Sequence, residues 1–175
     1  MSKIDYDLRR IKGVALDVDG VLSPSTTPLE LSGRPRRMCN VKDGYALQLA
    51  VKMGLKIAVI TGGESEAVAN RMKLLGIEDV WQNVADKLPV LQEWMEKHGM
   101  EKEETAYMGD DIPDLRSLRN VGLPCCPYDA AWEVKQESLY VSPISGGYGA
   151  VRDIIEQILK SQGRWSAESM ENLIW

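Results

Sequence analysis

The 175-residue chain has no Phe, a single His and three Cys, and it contains no apolar run approaching the roughly 20 residues that cross a bilayer. Each shortage excludes something. One His leaves no Cys/His zinc site, no Ser-His-Asp triad and no histidine base, so any catalysis must use carboxylates, Lys, Thr or a metal. His98 itself, in Glu93–Gly99, reads as a cation in the last turn of a helix just before a glycine, a surface residue near the C-cap. Cys125 and Cys126 are adjacent and Cys39 is remote; three such residues make no disulfide framework and read as buried free thiols in a reducing compartment. The polar, acidic start Met1–Asp7 does not read as a signal peptide, so a cytoplasmic location is expected. Positive charge is also in the minority. Lys and Arg number 21 against 26 Asp and Glu, and a net charge of −5 gives no general reason to bind nucleic acid or an anionic membrane.

What is present is ordinary globular composition, 44% apolar and 27% charged, in a chain long enough to bury one core. Five Trp and six Tyr supply the aromatic volume. Strand and helix patterns alternate along the chain. Strands are expected at 12–16, 55–60, 79–82, 105–109, 121–126 and 139–141. Helices are expected at 43–53, 65–75, 87–98, 114–119, 130–136 and 149–160. Short connections between them predict βα crossovers and a mostly parallel α/β sheet between helices. Residues 1–163 form one domain in this reading. Residues 21–38, with three Pro, form a loop or irregular β-hairpin inserted after the first strand, and 164–175 form an apolar tail that packs on its own core or on a neighbour.

In an open α/β sheet, ligands collect at the C-terminal ends of the strands. Three such ends are unusual here. The first carries Asp17 and Asp19. The second carries Thr61-Gly62-Gly63, a hydroxyl beside backbone N–H groups at a helix start, which suits a phosphate. The fourth carries Gly109-Asp110-Asp111, then Asp114. Carboxylates from two strand ends, with no Arg in either motif, repel one another, and a hard cation such as Mg²⁺ resolves the conflict. Lys87 at the start of the third helix adds positive charge. A carboxylate, a metal, a Lys and a hydroxyl outline a phosphoryl-transfer site. Taken singly, Asp19 and Thr61 are equally well read as cap or turn residues. A receiver module of the response-regulator type would need a separate mid-chain phosphoaccepting Asp, which this chain lacks. A catalytically dead scaffold would not need the whole set.

Together these motifs resemble the haloacid-dehalogenase superfamily of phosphohydrolases: Asp17-Val18-Asp19-Gly20-Val21, Thr61, Lys87 and Gly109–Asp114 stand in the order of its four motifs. Val41–Ala46, the stretch from Thr61-Gly62 through Arg71 to Ile77, and Gly146–Arg152 look like the 3-deoxy-D-manno-octulosonate 8-phosphate phosphatases, a capless branch. The resemblance covers about residues 8–160. It implies a Rossmann-like fold without a full cap domain, a Mg²⁺-dependent cytoplasmic phosphatase of lipopolysaccharide biosynthesis, and a homotetramer built on the hairpin with sites completed by neighbouring subunits. It implies Asp17 as nucleophile, Asp19 as general acid and base, and Thr61 and Lys87 as phosphoryl clamps. Asp17, the backbone carbonyl of Asp19, and Asp110 would hold the metal, with Asp111 and Asp114 behind them. Lys42, Asp43, Gly44, Gly62 and Arg71 would line the substrate side. Two departures leave the preferred sugar open between an octulosonate 8-phosphate and a nonulosonic acid 9-phosphate: Gly63 stands where the family pattern has Arg, and Leu22–Ser25 replaces its usual Thr-Asp-Gly. The insert's Arg34, Arg36 and Arg37 read either as a solvated basic loop or as charges that steer an anion or pair with a neighbour.

Overall fold

Strands covered by helices on both faces must be apolar on both faces, and four short segments here meet that demand. In the computed structural model, which describes residues 4–166 and 170–171, these are β1 (Gly13–Leu16), β2 (Lys56–Ile60), β4 (Thr105–Met108) and β5 (Leu123–Cys126), all but the first residue of β2 buried or nearly so. With β3 (Asp79–Trp81) and β6 (Tyr140–Val141) they form one six-stranded sheet, order β3-β2-β1-β4-β5-β6. Every pairing is parallel.

The pleat sorts the strand residues between two layers. Val14, Leu16, Ile57, Val59 and Met108 face a layer built from α1 (Val41–Lys52), α2 (Glu66–Leu74) and α6 (Ala150–Ser161). Ala15, Ala58, Ile60 and Tyr107 face α3 (Lys87–Lys97), α4 (Leu115–Leu118) and α5 (Trp132–Glu137). Trp94 of α3 and Tyr107 are the largest wholly buried side chains, filling volume that Phe would otherwise take. The chain winds outward from β1 to β3, then returns to β4 on the other side. The strand order therefore reverses at β1/β4, and the crevice beyond their C-terminal ends is where such sheets bind ligands.

The α/β reading holds, with three local corrections. Helix α1 begins at Val41 rather than Asp43, because the Asn40 side chain accepts from the amides of Lys42 and Asp43. His98 is the C-cap residue of α3, yet its side chain is only 17% exposed and Nε2 lies 2.7 Å from Asp79 Oδ2. Cys125 and Cys126 are buried free thiols, whereas Cys39 is exposed. The insert is irregular: among the described residues its strand-like pairing is confined to two isolated bridges, Asp19 to Ser23 and Leu29 to Pro35, as expected where Pro removes ladder donors. No cap domain occurs among the described residues, and no helix among them is long and apolar enough to cross a membrane. Of the tail, Trp165 packs edge-on against Tyr45 at 6.3 Å and beneath the Arg152 guanidinium at 4.5 Å. Leu173, Ile174 and Trp175 lie outside the described residues.

Candidate active site

Asp17 follows the last residue of β1 directly, and its amide still bonds to Met108 of β4, so the side chain leaves from the C-terminal end of a central strand beside the crevice. Lys87 is the first residue of α3. A cation is disfavoured at the positive end of a helix dipole, and what holds it is a pair of buried carboxylates: Nζ lies 2.7 Å from Asp17 Oδ2 and 2.8 Å from Asp114 Oδ1. These anions raise the Lys87 pKa despite its burial, so the ammonium keeps its charge. Asp17 Oδ1 accepts from the Val18 amide at 2.7 Å. Both oxygens of the prospective nucleophile are thereby fixed.

Asp114 is saturated. Oδ1 accepts from Lys87 and from the Tyr107 hydroxyl at 2.7 Å, and Oδ2 from the amides of Asp110 at 3.0 Å and Asp111 at 3.4 Å. Asp111 caps the turn at Ile112–Asp114 through the Ile112 amide. Asp110 is the opposite case. Among the described residues no hydrogen-bond donor reaches its carboxylate, and burial together with the anions of Asp17, Asp114 and Asp111 pushes its pKa up to about 8. Burial and Asp114 also push Asp17 upward, against Lys87. Carboxylate oxygens of Asp17, Asp110 and Asp114 lie within 4.8 Å of one another. One lysine among so many crowded acids leaves negative charge uncompensated, and a donor set of oxygens alone suits Mg²⁺. Gly20, at φ +79°, lets the chain pass beneath Asp110: a Cβ there would collide with that carboxylate.

Thr61, at the end of β2, is buried, and its Oγ1 accepts from the Gly63 amide at 3.2 Å, which leaves its hydroxyl proton free to donate. Asp17, Asp19, Thr61, Gly62, Lys87, Asp110, Asp111 and Asp114 line one open cleft of about 620 Å³. Asn83 and Ser25 line it too, and sequence reasoning passed over both. Asn83 takes a left-handed backbone, φ 57°, that non-glycine residues rarely adopt; an Asn two residues after a short strand is the weak signal that could have marked it.

The prospective substrate-side residues stand apart. Asp43, Gly44 and Arg71 line a neighbouring, mainly apolar cavity of about 150 Å³ between α1, α2 and the insert. Asp43 is buried, with Oδ1 accepting from the Arg152 amide at 2.7 Å and Oδ2 without a partner among the described residues, and burial raises its pKa to about 6. Lys42 is exposed on α1. Neither Lys42 nor Arg71 forms an ion pair among the described residues. Arg37 stands between the two cavities, paired with Asp19 at 2.9 Å. Of the insert's three arginines, this one is therefore neither solvated nor free to pair with a neighbour.

The haloacid dehalogenase-like hydrolase family model matches residues 40–127. The 3-deoxy-D-manno-octulosonate 8-phosphate phosphatase of Escherichia coli K12 is 35% identical over 154 residues, 88% of this chain and 82% of the relative. The enzyme of that name from Yersinia pestis is 32% identical over the same shares. Among solved structures, that of the Moraxella catarrhalis phosphatase in complex with magnesium ion, phosphate ion and a KDO molecule superposes with a TM-score of 0.88 at 35% identity, covering 95% of this chain and 96% of the other. The cobalt-bound phosphatase of Haemophilus influenzae gives 0.89 at 29% identity, covering 95% and 99%.

Proposed function

This chain belongs to the haloacid dehalogenase-like hydrolases, as a capless phosphatase, and from that premise we propose that it hydrolyses 3-deoxy-D-manno-octulosonate 8-phosphate to the free sugar acid and inorganic phosphate. The observation that carries the reading is the buried Asp17–Lys87–Asp114 array beside an uncompensated Asp110, the outfit of an anionic nucleophile prepared to meet an anionic ester.

Asp17 attacks phosphorus and forms an aspartyl-phosphate while the bond to the sugar's bridging oxygen breaks. Asp19, on the cleft wall, gives its proton to the departing alkoxide. It then takes a proton from water, which attacks the same phosphorus, releases phosphate and restores the Asp17 carboxylate. Lys87 holds Asp17 in place and screens it from the incoming phosphate, and the Thr61 hydroxyl donates to a phosphoryl oxygen, most usefully as charge builds in the transition state. Mg²⁺ held by Asp17, Asp110 and the Asp19 backbone carbonyl, with Asp111 and Asp114 behind them, supplies charge neutralisation to the phosphoryl oxygens. Lys42, Asp43, Gly44, Gly62 and Arg71 serve the sugar acid, with Lys42 and Arg71, which form no ion pair among the described residues, meeting its carboxylate or phosphate. The enzyme works in the cytoplasm as a homotetramer whose neighbouring subunits complete each cleft. A phosphate-release assay tests the assignment on the octulosonate 8-phosphate, nonulosonate 9-phosphates, hexose 6-phosphates and p-nitrophenyl phosphate, with and without Mg²⁺. Mg²⁺-dependent release, fastest from the octulosonate ester, is expected. Equal release from all four would defeat the substrate assignment, and release from none would defeat the enzyme.

A further inference from the structure

Arg37 ends the insert and reaches back to the first strand. Its guanidinium meets the Asp19 carboxylate as a fork, Nε to Oδ1 at 3.0 Å and Nη2 to Oδ2 at 2.9 Å. Nη1 donates to the carbonyls of Pro35 at 3.3 Å and Glu64 at 3.4 Å. The Arg37 side chain is only 10% exposed, whereas that of Asp19 is 43% exposed and lines the cleft. The fork thus takes one edge of the carboxylate and leaves the rest to the cleft. A planar bidentate pair of this kind fixes the plane of a carboxylate, which a lysine cannot do.

The second observation lies across the cleft wall. Gly63 is not among the positive-φ glycines, so its backbone does not call for glycine. The space does: a Cβ at 63 would fall on Nη2 of Arg37 and lie 3.2 Å from Asp19 Oδ2. The first strand end, the second strand end and the insert therefore converge on one guanidinium.

We infer that Arg37 is the positioning residue for Asp19, and that position 63 is glycine to seat its guanidinium. This rests on the phosphatase reading, in which Asp19 protonates the leaving alkoxide. A general acid must be aimed at the bridging oxygen, and a carboxylate released from its fork rotates freely.

The test compares the octulosonate 8-phosphate with p-nitrophenyl phosphate in the wild type, Arg37→Met, Arg37→Lys, Gly63→Ala and the Arg37→Met/Gly63→Ala double variant. Nitrophenolate departs without a proton, and kcat/KM covers only the steps through departure of the first product, so kcat/KM for the aryl ester bypasses Asp19 as an acid. Arg37→Met and Gly63→Ala should each lower kcat/KM for the sugar ester about 10- to 100-fold through kcat, with KM and the aryl kcat/KM within about threefold of wild type. The double variant should be no worse than either single one, because both remove the same contact. Arg37→Lys should recover part of the loss. An equal loss on both esters, a rise in KM alone, additive losses, or a Gly63→Ala enzyme indistinguishable from wild type overturns the inference. If the wild type hydrolyses neither ester, the phosphatase reading itself fails and the role of Arg37 falls with it, which separates the two failures.

Discussion

At the scale of single residues, the cleft is organised by which carboxylates have partners and which do not. Asp114 accepts four hydrogen bonds and Asp17 one besides its ion pair with Lys87, while among the described residues no donor reaches Asp110. Asp17→Asn keeps the shape and the Val18 contact but removes the nucleophile. Turnover should fall by a factor on the order of 10⁴ or more, read as phosphate release at saturating substrate; activity surviving in a pure preparation would sink the assignment of Asp17. Asp110 leads to a pH prediction. Its folded pKa of about 8 lies above the ordinary carboxylate value, so between about pH 4 and 8 the unfolded chain has lost a proton that the folded, metal-free protein keeps. Stability must then fall as pH rises through that window. Mg²⁺ binds the ionised carboxylates and opposes the fall. At a concentration about 100 times its Kd it adds about 2.7 kcal/mol, worth about 5–10 °C in Tm for a chain of this size, and the gain should be large at pH 8 and small at pH 5. Thermal melts in EDTA and in Mg²⁺ read this directly. Asp110→Asn should flatten the EDTA slope and lose most of the Mg²⁺ response. The same shift at both pH values would count against a metal held by these carboxylates.

At the scale of elements, Asp43 shows how a motif residue can serve helix packing. It sits in the first turn of α1, where a carboxylate suits the helix dipole, and its Oδ1 accepts from the Arg152 amide at the start of α6. Since burial raises its pKa to about 6, its charge costs stability as pH rises from about 4 to 6. Asp43→Asn keeps the acceptor and drops the charge, so it should be neutral or stabilising above pH 6. Asp43→Ala strands the Arg152 amide and should cost about 1–3 kcal/mol; denaturant melts of both variants at pH 5 and 7 distinguish them, and an equal loss in both would refute the clasp. This contact also marks where sequence reading stops. Asp17, Thr61 and Asp110 were legible because each closes an apolar strand, and strand period and turn chemistry are local signals. Asn40 as the cap of α1 is an equally local signal, one that the expected start at Asp43 does not use. The partner of Asp43 lies 109 residues away, and the grip of Arg37 on Asp19 crosses an insert with no periodicity. Neither leaves any trace in spacing. Tyr107 reads simply as a strand aromatic until the fold turns its hydroxyl onto Asp114.

At the scale of the whole molecule, a phosphoryl cleft of about 620 Å³ stands open with no cap among the described residues to cover it. An open cleft leaves its charges solvated by bulk water, which weakens every electrostatic contact to the transferring phosphoryl group, so a capless enzyme gains from a cover supplied by another chain. The insert offers the surface for that. Leu31 is fully exposed, Leu29 is 69% exposed, and Met38 and Val41 follow at its base, while the same segment delivers Arg37 to Asp19. Apolar side chains on a projecting, weakly paired loop suit burial against another copy. The proposed homotetramer places them there. Light scattering should then give four times the chain mass for the wild type and a smaller species for Leu29→Ser/Leu31→Ser. Because the insert also carries Arg37, loss of the partner should loosen its base, and kcat should fall more than the overall stability does. The decisive comparison is dilution. Wild-type specific activity should drop where the tetramer dissociates, whereas the double variant should already sit at that lower value and be insensitive to concentration. A double variant that stays tetrameric, or a monomeric one with full activity, would place both the assembly surface and the cover elsewhere.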